Sequence, residues 1–253
     1  MKSKSSVPIP QESDSILEMS HVKKSFGSNT VLNDISLSLS KGENLVVMGR
    51  SGCGKSVLIK CLVGLIYPDN GAIKVLGKTI QDLESKELNE LRKKIGFLFQ
   101  SGALYDSMNV MENLLFPLRE DKKTTQAKKI QLVKIALKNV GLEDTLSKMP
   151  SELSGGMRKR LGLARTLMLK PEIMLYDEPT TGLDPITSKE ISELMLQVQK
   201  EYNTSSIIIT HDIACARLTA NRILILDSGS IQAEGTIKEL ESSKVALVKA
   251  FFE

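Results

Sequence analysis

Eight consecutive residues, "GRSGCGKS" at 49–56, carry the densest chemistry in the chain. Their G-x-x-x-x-G-K-[ST] spacing suits a triphosphate: Gly49, Gly52 and Gly54 let a loop wrap it with backbone N–H groups. Lys55 is placed to neutralise phosphate oxygens, and the Ser56 hydroxyl to hold Mg²⁺. Arg50, Ser51 and Cys53 fill the other loop positions, so a thiol inside the loop predicts nucleotide binding that is sensitive to thiol reagents if its thiolate is accessible. A second group, "IMLYDEP" at 173–179, delivers Asp177 and Glu178 to the end of an apolar run. Asp177 is expected to hold Mg²⁺, and Glu178 to polarise a water as general base. His211 directly follows "SSIIIT", and it reaches a γ-phosphate if its strand lies beside the other two. Gln100 closes "IGFLFQ", where it could touch Mg²⁺ or the lytic water. The stretch "PSELSGGMRKR" offers a second anion site: Ser154 caps a helix, and Gly155 and Gly156 admit a ligand to its positively polarised first turn.

These residues need strands and helices to hold them. "ILEMSHV" and "VLNDISLSL" alternate, as strands with one wet face do, whereas "NLVVM" before the 49–56 loop is a continuous apolar run that predicts a strand buried on both faces. A helix is expected from Lys55 to about Ile66, closed by the turn cluster "YPDNG". "AIKVLG" predicts a strand, 82–94 a polar helix and "IGFLF" a buried strand. Residues 101–169 read as mostly helical, with an apolar stripe of Ile130, Val133, Ile135, Leu137 and Val140 that ends at Gly141. "IMLY", "SSIIIT" and "RILILD" are further buried strands with helices between them. Alternating strands and helices argue for an α/β fold with a parallel sheet.

Composition bounds the rest. A chain of 253 residues with 41% hydrophobic and 25% charged residues is ordinary globular protein. A net charge of +4 gives no argument for nucleic acid, and none is expected as a partner. Three cysteines with no C-x-x-C pair predict a reducing compartment. The Ser-, Lys- and Pro-rich segment 1–15 reads as a disordered tail without a signal-peptide core, and no apolar run approaches the length of a membrane span. The expectation is a cytosolic protein whose membrane role, if any, requires a partner. The lysines at 122, 123, 128, 129, 134 and 138, with Arg158, Lys159 and Arg160, read as a solvated basic face.

The order GRSGCGKS, Gln100, LSGGM, IMLYDE, "TTGLDP" and His211 resembles the nucleotide-binding subunit of an ABC transporter, over about 16–227. The resemblance implies a P-loop NTPase core of RecA-like type with an antiparallel β subdomain and a helical subdomain inserted at about 101–169. It makes 16–235 the ATPase domain and 236–253 a C-terminal tail that contacts a neighbour or packs on its own domain. It implies ATP and Mg²⁺ as cofactors and a head-to-tail pair of copies, each ATP lying between the 49–56 loop of one chain and Ser154, Gly155 and Gly156 of the other. By the same resemblance Phe26 stacks on adenine, and Asp184 lies in a loop passing between the two sites. Met157 stands where Gln is common in the family, so a ribose hydrogen bond there is not expected.

The stretch "FQSGALYDSMNVMENLLFPLRE", with "MPSELSGGMRKRLGLART" and "DEPTTGLDPIT", resembles the ATPases of Mla-type, also called Mkl-like, phospholipid transport. Those work with a multi-pass permease and an MCE-domain substrate-binding protein at the cytoplasmic face of the inner membrane. Leu104, Tyr105, Met108, Val110 and Met111 read as subdomain core or, in part, as a docking groove. Two rivals stay open. One is the same ATPase with an amino-acid or osmolyte cargo. The other is a soluble repair or translation ATPase, disfavoured because only 128 residues separate Gly49 from Asp177 and the chain carries one cassette.

Overall fold

A computed structural model describes residues 15–252. The expected disordered tail therefore lies outside the described residues, apart from Ser15, which opens the first strand. In chain order the elements are β1 (Ser15–Phe26), β2 (Asn29–Ser40), β3 (Asn44–Gly49), α1 (Lys55–Leu62), β4 (Asn70–Val75), β5 (Lys78–Thr79), α2 (Ser85–Arg92) and β6 (Ile95–Leu98). Then come α3 (Val110–Leu115), α4 (Gln126–Asn139), α5 (Gly155–Leu167), β7 (Ile173–Asp177), α6 (Pro185–Tyr202) and β8 (Ser205–Thr210). The chain closes with α7 (Ile213–Thr219), β9 (Arg222–Asp227), β10 (Ser230–Gly235), α8 (Ile237–Glu241) and α9 (Ala246–Lys249).

Two sheets result. An antiparallel one runs β2-β1-β4-β5, and a six-stranded one runs β10-β9-β3-β8-β7-β6. In the larger sheet β9, β3, β8, β7 and β6 are parallel, and β10 pairs antiparallel to β9 at one edge. Every residue of β3 and β8 is buried, as continuous apolar runs require when both faces are covered. The pleat sorts β3 between two cores: Leu45 and Val47 pack toward the antiparallel sheet, and Val46 and Met48 toward the helical side.

Capping chemistry sets the helix starts near the site. Ser154 Oγ accepts the Met157 N–H at 3.2 Å to open α5. Asp184 accepts the N–H groups of Ile186 and Thr187 to open α6, with Pro185 in the first turn. Helix α6 stops at Asn203, which takes the left-handed conformation at φ 51°.

Several expectations shift. Helix α1 ends at Leu62 rather than near Ile66, because Gly64 at φ 64° turns the chain under Leu88. Strand β6 stops at Leu98, so Gln100 sits in a turn. In α4 the buried face is Val133, Ala136, Leu137 and then Val140, while Ile135 is 48% exposed: its position falls outside the 3.6-residue repeat of that face. Strand β10 and helices α8 and α9 were not expected, since "SIQAEG" lacks an apolar run. The two terminal phenylalanines pack against their own domain, carried there by fully buried Val248.

Candidate nucleotide site

Strand order decides which motifs meet. Strand β8 lies between β3 and β7, so the 49–56 loop, His211 and the Asp177–Glu178 pair leave three adjacent parallel strands at the same end of the sheet. Open α/β sheets bind ligands there. A cavity of about 690 Å³ opens at this point, walled by Gly49, Arg50, Ser51, Gly52, Gly54, Lys55, Ser56, Gln100, Asp177, Glu178 and His211. Val31, Thr181 and Phe251 also line it.

The loop shows why its glycines are needed. Gly54 takes φ 109°, and a Cβ there would meet the Val31 carbonyl at 2.7 Å. Gly52 takes φ 79° with open space around it, leaving the backbone free to face a ligand. Lys55 is buried and donates to the carbonyls of Gly49 at 2.7 Å and Arg50 at 3.0 Å, so its ammonium is held at the loop.

The acid pair is tightly organised. Glu178 adopts φ 51°, a strained conformation for a side-chain-bearing residue, and its N–H donates to the Ile209 carbonyl at 2.9 Å. Its Oε2 lies 2.8 Å from His211 Nδ1 and accepts the Thr181 hydroxyl at 3.1 Å. With Glu178 ionised, Nδ1–H is the donor. Oε1 has no protein donor among the described residues. Burial, and then the neighbouring Glu178 charge, push the Asp177 carboxyl above its ordinary range, with Lys55 opposing. Such a half-buried acid pair fits a divalent cation, which would favour the ionised form. Ser56 and Gln100 face the same cavity as oxygen donors, and oxygen ligands together with phosphate suit Mg²⁺.

Other expected residues stand elsewhere. Cys53 does not line the cavity: its side chain is 7% exposed, its Sγ lies against Gly49, and burial raises its pKa. The accessible thiolate on which thiol sensitivity depends is therefore not present in this structure. Phe26 is 48% exposed, outside the cavity wall, with Lys24 Nζ 5.4 Å from its ring centre. Ser154, Gly155, Gly156 and Asp184 are also absent from that wall. Asp184 spends both carboxylate oxygens on capping α6, which holds its pKa down: Thr187 Oγ1 donates at 2.6 Å in addition to the backbone donors.

The structure adds residues that sequence reasoning missed. Lys159 and Lys129 are not part of a solvated face. Lys159 is buried and donates to the Glu178 carbonyl at 3.2 Å; burial lowers its pKa while Asp177 and Glu178 oppose that. Lys129 donates to the carbonyls of Leu118 and Asp121. Thr181 had a sequence signal, three residues after Glu178, whereas Lys159 and Phe251 had none.

A glycine-rich phosphate loop, a lysine held at it, and a glutamate braced by a histidine across adjacent parallel strands define a nucleoside triphosphatase of the P-loop class. The ABC transporter family model matches residues 32–181. The chain belongs to that family, and its domain is the family's ATP-hydrolysing cassette, with ATP and Mg²⁺ as cofactors. It is 41% identical over 237 residues to the probable ribonucleotide transport ATP-binding protein mkl of Mycobacterium tuberculosis, covering 93% of this chain and 66% of that protein. It is 39% identical to the methionine import ATP-binding protein MetN of Clostridium tetani, covering 89% and 70%. Among solved structures, the dimeric ATP-binding cassette MJ0796 bound to ADP and Pi matches with a TM-score of 0.80 at 30% identity, covering 87% of this chain and 98% of that one. The cbiO1 subunit of the Clostridium perfringens cbiONQ transporter complex matches with a TM-score of 0.84, also at 30% identity, covering 95% and 96%. The chain thus spans slightly less than two thirds of the length of the Mycobacterium tuberculosis relative.

Proposed function

We propose that the chain is the ATP-hydrolysing subunit of a transporter that moves phospholipid through a separate multi-pass permease at the cytoplasmic face of a membrane. The hydrolytic reading rests above all on the Glu178–His211 contact at 2.8 Å beside the phosphate loop. In it, Glu178 Oε1 takes a proton from the attacking water as that oxygen bonds to the γ-phosphorus and the bond to the β,γ-bridging oxygen breaks. His211 and Thr181 hold Oε2, so the carboxylate cannot rotate away from the water. The N–H groups of the 49–56 loop and Lys55 take up the phosphate charge. Ser56, Gln100 and Asp177 would hold Mg²⁺, which when bound neutralises β- and γ-oxygen charge.

Ser154, Gly155 and Gly156 lie outside their own chain's cavity wall, which supports their use by the nucleotide of a second copy. The dimeric state of the MJ0796 structure supports the same pairing. None of the helices among the described residues is long and apolar enough to cross a membrane; a separate permease is the membrane partner this reading expects. An MCE-domain protein is the expected substrate-binding partner. Phospholipid as cargo rests on the 99–120 stretch and on the similarity to the Mkl relatives. A second reading, import of methionine or another amino acid, is favoured by the similarity to MetN.

The deciding experiment is purification of the tagged chain from native membranes in mild detergent, with identification of partner proteins and bound lipid. A permease with an MCE-domain protein and phospholipid supports the first reading. A permease with a soluble amino-acid receptor replaces it with the second. Recovery without any membrane protein overturns both.

A further inference from the structure

Three lysines are buried among the described residues: Lys55, Lys129 and Lys159. Two of them have a pair of acceptors each. Lys55 donates to the Gly49 and Arg50 carbonyls, and Lys129 to those of Leu118 and Asp121 at 2.7 and 2.6 Å. Lys159, 6% exposed and one turn into α5, has a single acceptor among the described residues, the Glu178 carbonyl at 3.2 Å. One long hydrogen bond does not offset the cost of taking an ammonium out of water. The charges that act on it are Asp177 and Glu178, the acid pair of the nucleotide site. The place of Lys159 is therefore explained by that site and not by the stability of its helix.

The carbonyl it holds belongs to a strained peptide. Glu178 takes φ 51°, and its N–H is spent on the Ile209 carbonyl of β8 at 2.9 Å. Its own carbonyl accepts the Thr181 N–H at 3.3 Å as well as Lys159. A side-chain-bearing residue persists in this conformation only where its surroundings fix it. Helix α5 touches the same segment at two further points. A Cβ on Gly155 would lie 3.4 Å from Leu183 Cδ2, and one on Gly156 2.5 Å from Thr187 Cγ2. Residues 155, 156 and 159 share one face of the helix, at i, i+3 and i+4 spacing. That face grips 178–187 from the strained glutamate to the first turn of α6.

We propose that Lys159 is a positioning residue for ATP hydrolysis: it ties the strained Glu178 peptide to α5, so that Glu178 Oε1 meets the attacking water only while that helix is seated. The proposal rests on the reading of Glu178 as general base above. It gives α5 two tasks. Ser154 and the glycines serve the second copy's nucleotide in that reading, and Lys159, one turn further on, sets the base of this chain's own site. Engagement of α5 by a second copy then governs when this chain hydrolyses its own ATP.

Turnover and equilibrium ATP binding of the purified full chain test it. Lys159→Met keeps an unbranched side chain without a donor, and is expected to lower kcat about 10–100-fold, the scale of a displaced catalytic group. KM and ATP affinity should not move, and Lys159→Arg is expected to keep most of the turnover. Lys159→Gln, uncharged and shorter, serves if the methionine variant does not fold. The double variant with Glu178→Gln is expected to match Glu178→Gln alone, because a group that acts only through the base then has nothing left to position. Wild-type kcat in Lys159→Met, a loss of ATP affinity equal to the loss of turnover, or a further drop in the double variant overturns the proposal. Wild-type turnover of Glu178→Gln would instead overturn the reading of Glu178 as general base.

Discussion

Gly156, in the first turn of α5, lies so close to Thr187 of α6 that a Cβ on it would sit 2.5 Å from the Thr187 Cγ2 methyl. This glycine is therefore required by helix–helix packing, besides whatever ligand approaches it. Gly156→Ala is expected to destabilise the fold by about 1–3 kcal/mol, the usual range for overpacking. Thr187→Ser removes the clashing methyl and keeps the hydroxyl that bonds Asp184, so the double variant is expected to recover most of the loss. Denaturant melts of the four proteins check it. No recovery in the double variant would mean that the glycine acts through its backbone conformation.

Glu178→Gln is expected to preserve nucleotide binding and lower turnover by about 10²–10⁴-fold, the range for a general base. Phosphate release and equilibrium ATP binding, measured on the same preparation, separate the two effects. Wild-type turnover would remove Glu178 from the reaction.

Thr181→Val takes one of the two donors from Glu178 Oε2 and leaves His211 as the remaining brace. Turnover is expected to drop less than in Glu178→Gln, by about tenfold, the equivalent of roughly 1.4 kcal/mol of lost orientation. ATP affinity should not move. A loss equal to that of Glu178→Gln would show that Thr181 touches the reacting groups.

Asp177 links the site to stability through pH. Its carboxyl titrates higher in the fold than in the unfolded chain, so the native state binds more protons between the two values. Its contribution is present at lower pH and is lost as pH rises through the raised folded value. Asp177→Asn is therefore expected to raise the melting temperature of nucleotide-free protein at neutral pH, by about 2–4 °C for each kcal/mol of relieved desolvation. The same variant should lose the extra stabilisation that Mg²⁺ adds to ATP. Thermal melts across pH, with and without Mg²⁺, measure both.

All three cysteines are buried, and burial raises each of their pKa values, that of Cys61 to about 11. A maleimide is expected to label the folded protein at least ~10-fold more slowly than the denatured chain. Mass spectrometry resolves the sites. Rapid modification of Cys53 in the folded state would show that the phosphate loop opens.

The amino-acid order alone determined the phosphate loop, the acid pair, the capped LSGGM helix and the buried central strands. Each is a short-range pattern: glycines where a backbone must turn, a serine or aspartate where helix N–H groups lack acceptors, an unbroken apolar run where both faces are covered. What the tertiary structure decided is non-local. Placing β8 between β3 and β7 set His211 against Glu178, and nothing within "SSIIIT" encodes its neighbours. Packing turned Cys53 inward, drew Lys159 beneath the acid pair, left Ile135 outside and brought Phe251 to the cavity wall. It also left a terminal nitrogen of Arg165 without an acceptor among the described residues, because sequence spacing shows where a charge lies along a helix but not whether another element brings it a partner.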